Sequence, residues 1–206
     1  MQLSNKIYIW IIALACLVSF FSSFGSKLNL IEPIFFNKFL ISFNQIQFYD
    51  FKTTYLIGNE WWRLITPMFI HFSPTHLIFN SLWIYILGRE IEQLDGKIIF
   101  IFLILFTSIS SNYLQYSFSG TSLFGGLSGV VYGLLGYCFV SETFLRINKF
   151  SFPPAIYIFM FVWLLIGFTG FLDLLGFGKI ANFAHLGGLL SGILSGYIFS
   201  MYNKKT

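Results

Sequence analysis

Residues 98–141 read IIFIFLILFTSISSNYLQYSFSGTSLFGGLSGVVYGLLGYCFVS, 44 positions without a charged side chain. A membrane-spanning helix takes about 20 mostly apolar residues. The stretch is long enough for two, and its polar, glycine-rich piece from Ser117 to Gly126 divides them. Working outward, four more uncharged runs of spanning length appear. Residues 64–88 lie between Arg63 and Arg89 and carry Pro67, His71, Pro74 and His76 near their start. Residues 7–26, 150–172 and 180–203 supply the rest. The pattern predicts an all-α membrane protein: a single domain over 1–206 with six spans, at about 7–26, 71–88, 98–116, 127–144, 153–173 and 181–201.

Composition agrees with that class and excludes others. Charged residues make up 10% of the chain, against roughly 25% in soluble domains. Hydrophobic residues make up 56% and mean hydropathy is +0.77. A soluble fold of this size cannot bury so much apolar surface, and disorder needs the opposite composition. A net charge of +4 spread along such a chain forms no basic patch, so no nucleic-acid partner is expected. Cys16 and Cys138 both lie in apolar runs and read as small hydrophobes. Neither a disulfide nor a metal site is suggested.

An even number of spans puts both termini on one side. Lys6, Arg89, Lys97, Arg146, Lys149, Lys204 and Lys205 fall on that side, while the short opposite loops carry only Lys179. Positive residues mark the cytoplasmic face, so both termini are placed there. The long first loop, about residues 25–63, carries Lys27, Lys38, Lys52 and Arg63 on the outer side, where long loops weigh less. Its Phe, Ile and Leu content predicts an element partly embedded in the outer leaflet. The N-terminal run is long for the core of a cleaved signal peptide.

Polar groups at membrane depth are costly and need a reason. The chain has three histidines, His71, His76 and His185, all at or within apolar spans. His76 and Asn80 are four apart and share a helix face. Ser128 follows Gly125, Gly126 and Leu127, where irregular backbone is tolerated only around a cavity or inside protein. A helix starting near Leu127 leaves unpaired N–H groups at its positive end, which suits a developing oxyanion. A serine hydroxyl becomes a nucleophile when a base removes its proton. Gly129, Gly133 and Gly136 line the fourth span, and Gly188, Gly192 and Gly196 the sixth, so these two helices can approach closely. The expected constellation is Ser128 facing His185, with Tyr132 packed on the imidazole and His76 and Asn80 as donors.

Taken singly, each element has a plainer reading. A Gly-x-Ser-Gly run is common in membrane helices, a glycine ladder serves packing, and a histidine can bond a neighbouring helix. His71 reads as a residue that steadies the loop or a helix end.

As a set, the residues resemble the rhomboid family in its minimal six-span bacterial form. The matching pieces are Trp62-Arg63; His71, His76 and Asn80; Gly88, Glu92 and Gly96; Gly126-Leu127-Ser128-Gly129 with Tyr132; and Ala184-His185 with Gly188 and Gly192. They occur in family order from about residue 60 to 196. The resemblance implies an intramembrane serine endopeptidase in the bacterial inner membrane that cleaves transmembrane segments without a cofactor or metal. Ser128 is then the nucleophile and His185 its general base, in a dyad with no acid, while His76, Asn80 and the Ser128 N–H hold the oxyanion. Tyr132, Gly126 and Gly129 support the site. Trp62, Arg63 and Glu92 take structural positions, and substrate is admitted near the second and fifth spans.

Pro67 stands where close bacterial relatives can carry another histidine. Asp173 lies near the outer end of the fifth span, and nothing in the sequence places it beside His185. Ser117, Ser119, Thr121 and Ser122 are expected to line a water path to Ser128. The expected partners are transmembrane substrates and membrane lipid; oligomeric state is not legible. The competing readings are a catalytically silent rhomboid-like protein that binds membrane helices, and a small transporter using His76, Asn80 and His185 as a polar pathway.

Overall fold

The structure is a computed structural model that describes residues 6–43, 45–145, 149–171 and 180–203. Arg146, Asp173, Lys179, Lys204 and Lys205, which entered the sequence reading, lie outside the described residues. The chain is mostly helical. Helix α1 (Ile7–Phe21) is followed by a short α2 (Leu28–Ile31), a hairpin of β1 (Phe39–Ser42) and β2 (Gln45–Phe48), and a series of tight turns to Phe69. Then come α3 (Pro74–Trp83), continued through a wide turn, Ile84–Gly88, into α4 (Arg89–Leu94), and α5 (Lys97–Ser119). Helices α6 (Ser128–Leu145), α7 (Pro154–Gly167) and α8 (Asn182–Asn203) complete the order.

Among the described residues, α5 alone is both long and apolar enough to cross a membrane by itself. Its 23 residues extend about 35 Å at 1.5 Å per residue, close to the thickness of a hydrocarbon core. Gly96 and Gly120 bracket it with positive φ, at 87° and 66°. The first and fifth predicted spans are shorter as helices than the uncharged runs suggest. Helix α1 stops at Phe21 because Ser23, Phe24 and Gly25 all take positive φ, which no α-helix continues through. Its start is held from another helix: both oxygens of the Glu92 carboxylate accept N–H bonds, from Ile7 at 3.0 Å and Tyr8 at 3.1 Å. An anion there satisfies donors that the helix leaves orphaned. Helix α7 ends at Gly167, before the turn at Phe168–Gly170.

The second predicted span begins as a helix at Pro74 rather than residue 71. Ser73 caps it, its Oγ accepting the His76 N–H at 3.2 Å, and Pro74 occupies the first turn, where its missing N–H costs nothing.

Helices α6 and α8 are in backbone contact. A methyl group at Gly188 or Gly192 would run into the carbonyl of Gly129 or Gly133, so only glycine fits there. Helix α5 packs against the same pair, with Ser111 beside Gly129 and Thr107 beside Gly133. Around this centre Leu127, Val130, Leu134, Leu103 and Ile84 are buried. Outward-facing side chains are apolar as well: Trp10, Phe20, Ile158 and Phe161 are all exposed.

The first loop corrects the purely helical expectation, since β1 and β2 pair antiparallel with Phe39 opposite Phe48. In β2, Gln-Ile-Gln-Phe alternates polar and apolar at a period of two, as a half-buried strand does, whereas β1, Phe-Leu-Ile-Ser, does not alternate. Arg63, 2% exposed, ties the loop together. It donates to Glu60 at 2.5 Å, to the Glu32 carboxylate and the Phe35 carbonyl at 3.0 Å each, and to the Glu32 carbonyl. Lys38 adds a second bond to Glu60 at 3.0 Å. Phe36 and Tyr55 pack on Phe124, so the loop presses directly on the segment leading to Ser128.

Candidate active site

The site begins with a break in the backbone. Gly126 has φ +118°, and a Cβ there would sit 2.6 Å from Cε1 of His76 and 2.9 Å from its Nε2. Side-chain-bearing residues rarely adopt that conformation. The turn is pinned on both sides: the Gly126 N–H donates to the Pro67 carbonyl at 3.1 Å, and the Leu127 N–H donates to Nε2 of His71 at 3.3 Å. Because that nitrogen accepts, the other carries the proton, and Nδ1–H of His71 points to the Phe69 carbonyl at 3.3 Å. His71, fully buried, thus steadies the start of α6, in line with the plainer reading of its sequence position.

Helix α6 begins at Ser128. Its first N–H groups have no partner inside the helix. Nε2 of His185, near the start of α8, lies 2.8 Å from Oγ of Ser128. The Tyr132 ring, one turn along α6, stacks on the imidazole at 4.7 Å between centroids and 29° between planes, and its hydroxyl donates to the Met160 carbonyl of α7 at 3.1 Å. Nδ1 of His185 is buried without a hydrogen-bond partner among the described residues, so none of these supplies an orienting acid.

On the opposite side of Ser128, α3 contributes His76 and Asn80. The His76 ring meets His71 edge-on at 5.0 Å. Asn80 is buried, and its Nδ2 has no hydrogen-bond partner among the described residues. Ser128, His185, Tyr132, His76 and Asn80 all line one cavity of about 330 Å³, walled further by Phe79, Val131, Met160 and Trp163. That is space for on the order of ten waters, or for a few side chains with water between them.

The structure therefore brings together every residue the sequence put in the site. It does not do so for the expected water path: Ser117 and Ser119 belong to α5, and the wall near Ser128 is built by Leu123, Phe124 and Gly125 instead of Ser117, Ser119, Thr121 and Ser122. The physical reason is that α5 runs one turn further than the apolar pattern indicates, with the Ser117 hydroxyl bonding back to the Tyr113 carbonyl at 2.8 Å. Sequence reasoning also missed Gln115, whose Oε1 accepts the Ala184 N–H at 3.0 Å and so fixes the residue before His185. A buried glutamine in an apolar helix was the available signal.

A serine–histidine pair thus stands between packed helices beneath an apolar wall. Comparison with known proteins gives the family. A profile described as Rhomboid domain matches residues 58–202, and the chain belongs to the rhomboid family. It is accordingly an integral membrane protein. It is 39% identical over 136 residues to the rhomboid protease GlpG of Serratia proteamaculans (strain 568). It is 37% identical over 136 residues to those of Yersinia pseudotuberculosis serotype I (strain IP32953) and Yersinia pestis. In each case the match covers 66% of this chain and 47% of the relative. The chain thus spans about half the length of the curated relatives it matches.

Proposed function

We propose that the protein is an intramembrane serine endopeptidase that cleaves transmembrane segments of other membrane proteins through a Ser128–His185 dyad. The observation that carries this reading is the 2.8 Å contact between His185 Nε2 and Ser128 Oγ at the wall of a cavity. That distance is within reach of direct proton transfer. Names of the relatives, each a rhomboid protease, support the same activity.

In this mechanism His185 removes the Ser128 proton as Oγ attacks the scissile carbonyl. The oxyanion forms beside the Ser128 N–H, His76 and the unpartnered Nδ2 of Asn80, donors that are already in place and need little reorganisation. His185 then passes its proton to the leaving amine. Water hydrolyses the acyl-enzyme with His185 as base once more. Tyr132 holds the imidazole plane, and Gly126 and Gly129 allow the close approach of α3 and α5 to the start of α6. A substrate helix must unwind before its peptide bond is accessible, because its carbonyls are hydrogen-bonded internally. The flanking walls α3 and α7 are where it would be admitted.

The same reading has the single domain crossing the inner membrane six times, with both termini cytoplasmic. The test is cleavage of a single-span substrate in liposomes by wild type, Ser128→Ala and His185→Ala. Wild-type cleavage abolished by either substitution is expected. A folded wild type that cleaves no substrate and resists a fluorophosphonate would instead indicate a silent protein that binds membrane helices.

A further inference from the structure

Helix α7 forms a wall between two cavities. On one side lies the 330 Å³ space before Ser128, which Met160 and Trp163 line. On the other lies an apolar space of about 380 Å³, bounded by Tyr157, Ile158 and Phe161 of α7 and by residues of α6 and α8. Only Met160, Leu164 and Gly167 of this helix are buried. A helix that buries three residues against the rest of the protein gains less from packing than its neighbours do, so polar ties weigh heavily in fixing where it stands.

At its first turn those ties converge on one carboxylate that the mechanism does not use. Glu142, near the end of α6, accepts the Tyr157 hydroxyl at 2.5 Å through Oε2. Through Oε1 it accepts the Phe150 N–H at 3.2 Å and the Phe152 N–H at 3.4 Å. The Tyr157 ring also meets Phe139 of α6 edge-on at 5.5 Å. Thus one side chain of the helix that carries Ser128 holds both the approach to α7 and its opening turn. Further along, Tyr132 of α6 donates to the Met160 carbonyl at 3.1 Å and Asn182 to the Gly167 carbonyl at 2.8 Å, one bond each, against three to Glu142 among the described residues.

We propose that Glu142 is a positioning residue for access to Ser128: it clamps the foot of α7 to α6 and so sets how far this wall stands from the cavity. The clamp acts through position alone, since Glu142 contacts neither Ser128 nor His185. It rests on the proteolytic reading only for its consequence, that displacement of α7 changes which molecules reach the serine.

The experiment pairs two readouts. Hydrogen exchange followed by mass spectrometry reports the foot of α7 directly and needs no activity. Phosphonylation of Ser128 by a small fluorophosphonate and by one with a bulky tail reports access. Loss of charge-assisted hydrogen bonds shifts a local equilibrium on the order of tenfold. In Glu142→Ala, amides of residues 150–160 should therefore exchange about tenfold faster, with α5 and α8 unchanged. Labelling by the bulky reagent should rise by a similar factor while the small reagent reacts at the wild-type rate. Glu142→Gln, which keeps hydrogen-bonding capacity, should restore both. Tyr157→Phe, which deletes one bond and no packing, should give a smaller shift of the same sign and serves if Glu142→Ala fails to fold. Unchanged exchange at 150–160 in both Glu142→Ala and Tyr157→Phe would overturn the proposal, and so would equal effects on the two reagents. A wild type that the small reagent never labels would sink the proteolytic reading instead, with the exchange result still judging the clamp.

Discussion

Replacing Gly126 with alanine separates two effects that the backbone break combines. The first is conformational. At φ +118° an L-residue is strained, typically by about 1–3 kcal/mol, and this cost does not depend on any neighbour. The second is steric and acts on one neighbour. The new methyl group would stand 2.6 Å from Cε1 of His76, roughly an ångström inside ordinary carbon–carbon contact. His76 borders the cavity, so it can swing away, but it then leaves the position from which it would meet the oxyanion. Losing one such donor costs about 10²–10³ in kcat.

Gly126→Ala should therefore lower kcat by about the same factor as His76→Ala, while unfolding measurements show a loss of about 1–3 kcal/mol. The decisive sample is the double variant. With the ring already gone the methyl group meets no clash, so the activity losses should overlap instead of multiplying. The assay is single-turnover cleavage of a model substrate in liposomes, with unfolding of the same four proteins in detergent. Fully multiplied losses would refute the reasoning, because Gly126 would then act on the chemistry by a route other than His76.

Gly188→Ala tests the contact of α6 with α8. Its methyl group meets the Gly129 carbonyl, backbone that cannot rotate away, so destabilisation should reach or exceed the roughly 1–3 kcal/mol of ordinary overpacking, read as a lower melting temperature. Tyr132→Phe keeps the stack on His185 and removes only the bond to the Met160 carbonyl; about 1 kcal/mol of stability should go with most activity retained, whereas Tyr132→Ala should lose both. The first loop should loosen in acid. Burial alone would raise the Glu60 pKa, but hydrogen bonds and charge from Lys38 and Arg63 outweigh it and hold the carboxyl below its ordinary 4.5. A lowered folded-state pKa contributes stability that is present above the unfolded value and lost as pH falls through the folded one. Emission from Trp61 and Trp62 should change below pH 4.5 in wild type, and Glu60→Gln should already be loosened at neutral pH and show a weaker pH response.

What the sequence determined by itself rests on local signals. Five uncharged runs, one of them long enough for two helices, are legible because a helix in lipid must be apolar over a fixed length. Ser128, His185, His76 and Asn80 are conspicuous because polar groups are expensive there. The glycines at 129, 133, 188 and 192 announce a close helix pair because small residues at a spacing of four make a flat face. The tertiary structure alone decided what those residues lean on. His71 reaches Leu127 across 56 positions, Gln115 reaches Ala184 across 69, and Glu92 reaches Tyr8 across 84. The hairpin at 39–48 and the shorter α1 likewise depend on what the loop folds against. A periodic pattern reports which face of a helix is apolar, but not how far that helix slides along its neighbour. Hydrogen bonds form only within about 3.5 Å, less than the rise of three residues along a helix. Pairings between distant segments therefore emerge only when packing has fixed the register of one helix against the next.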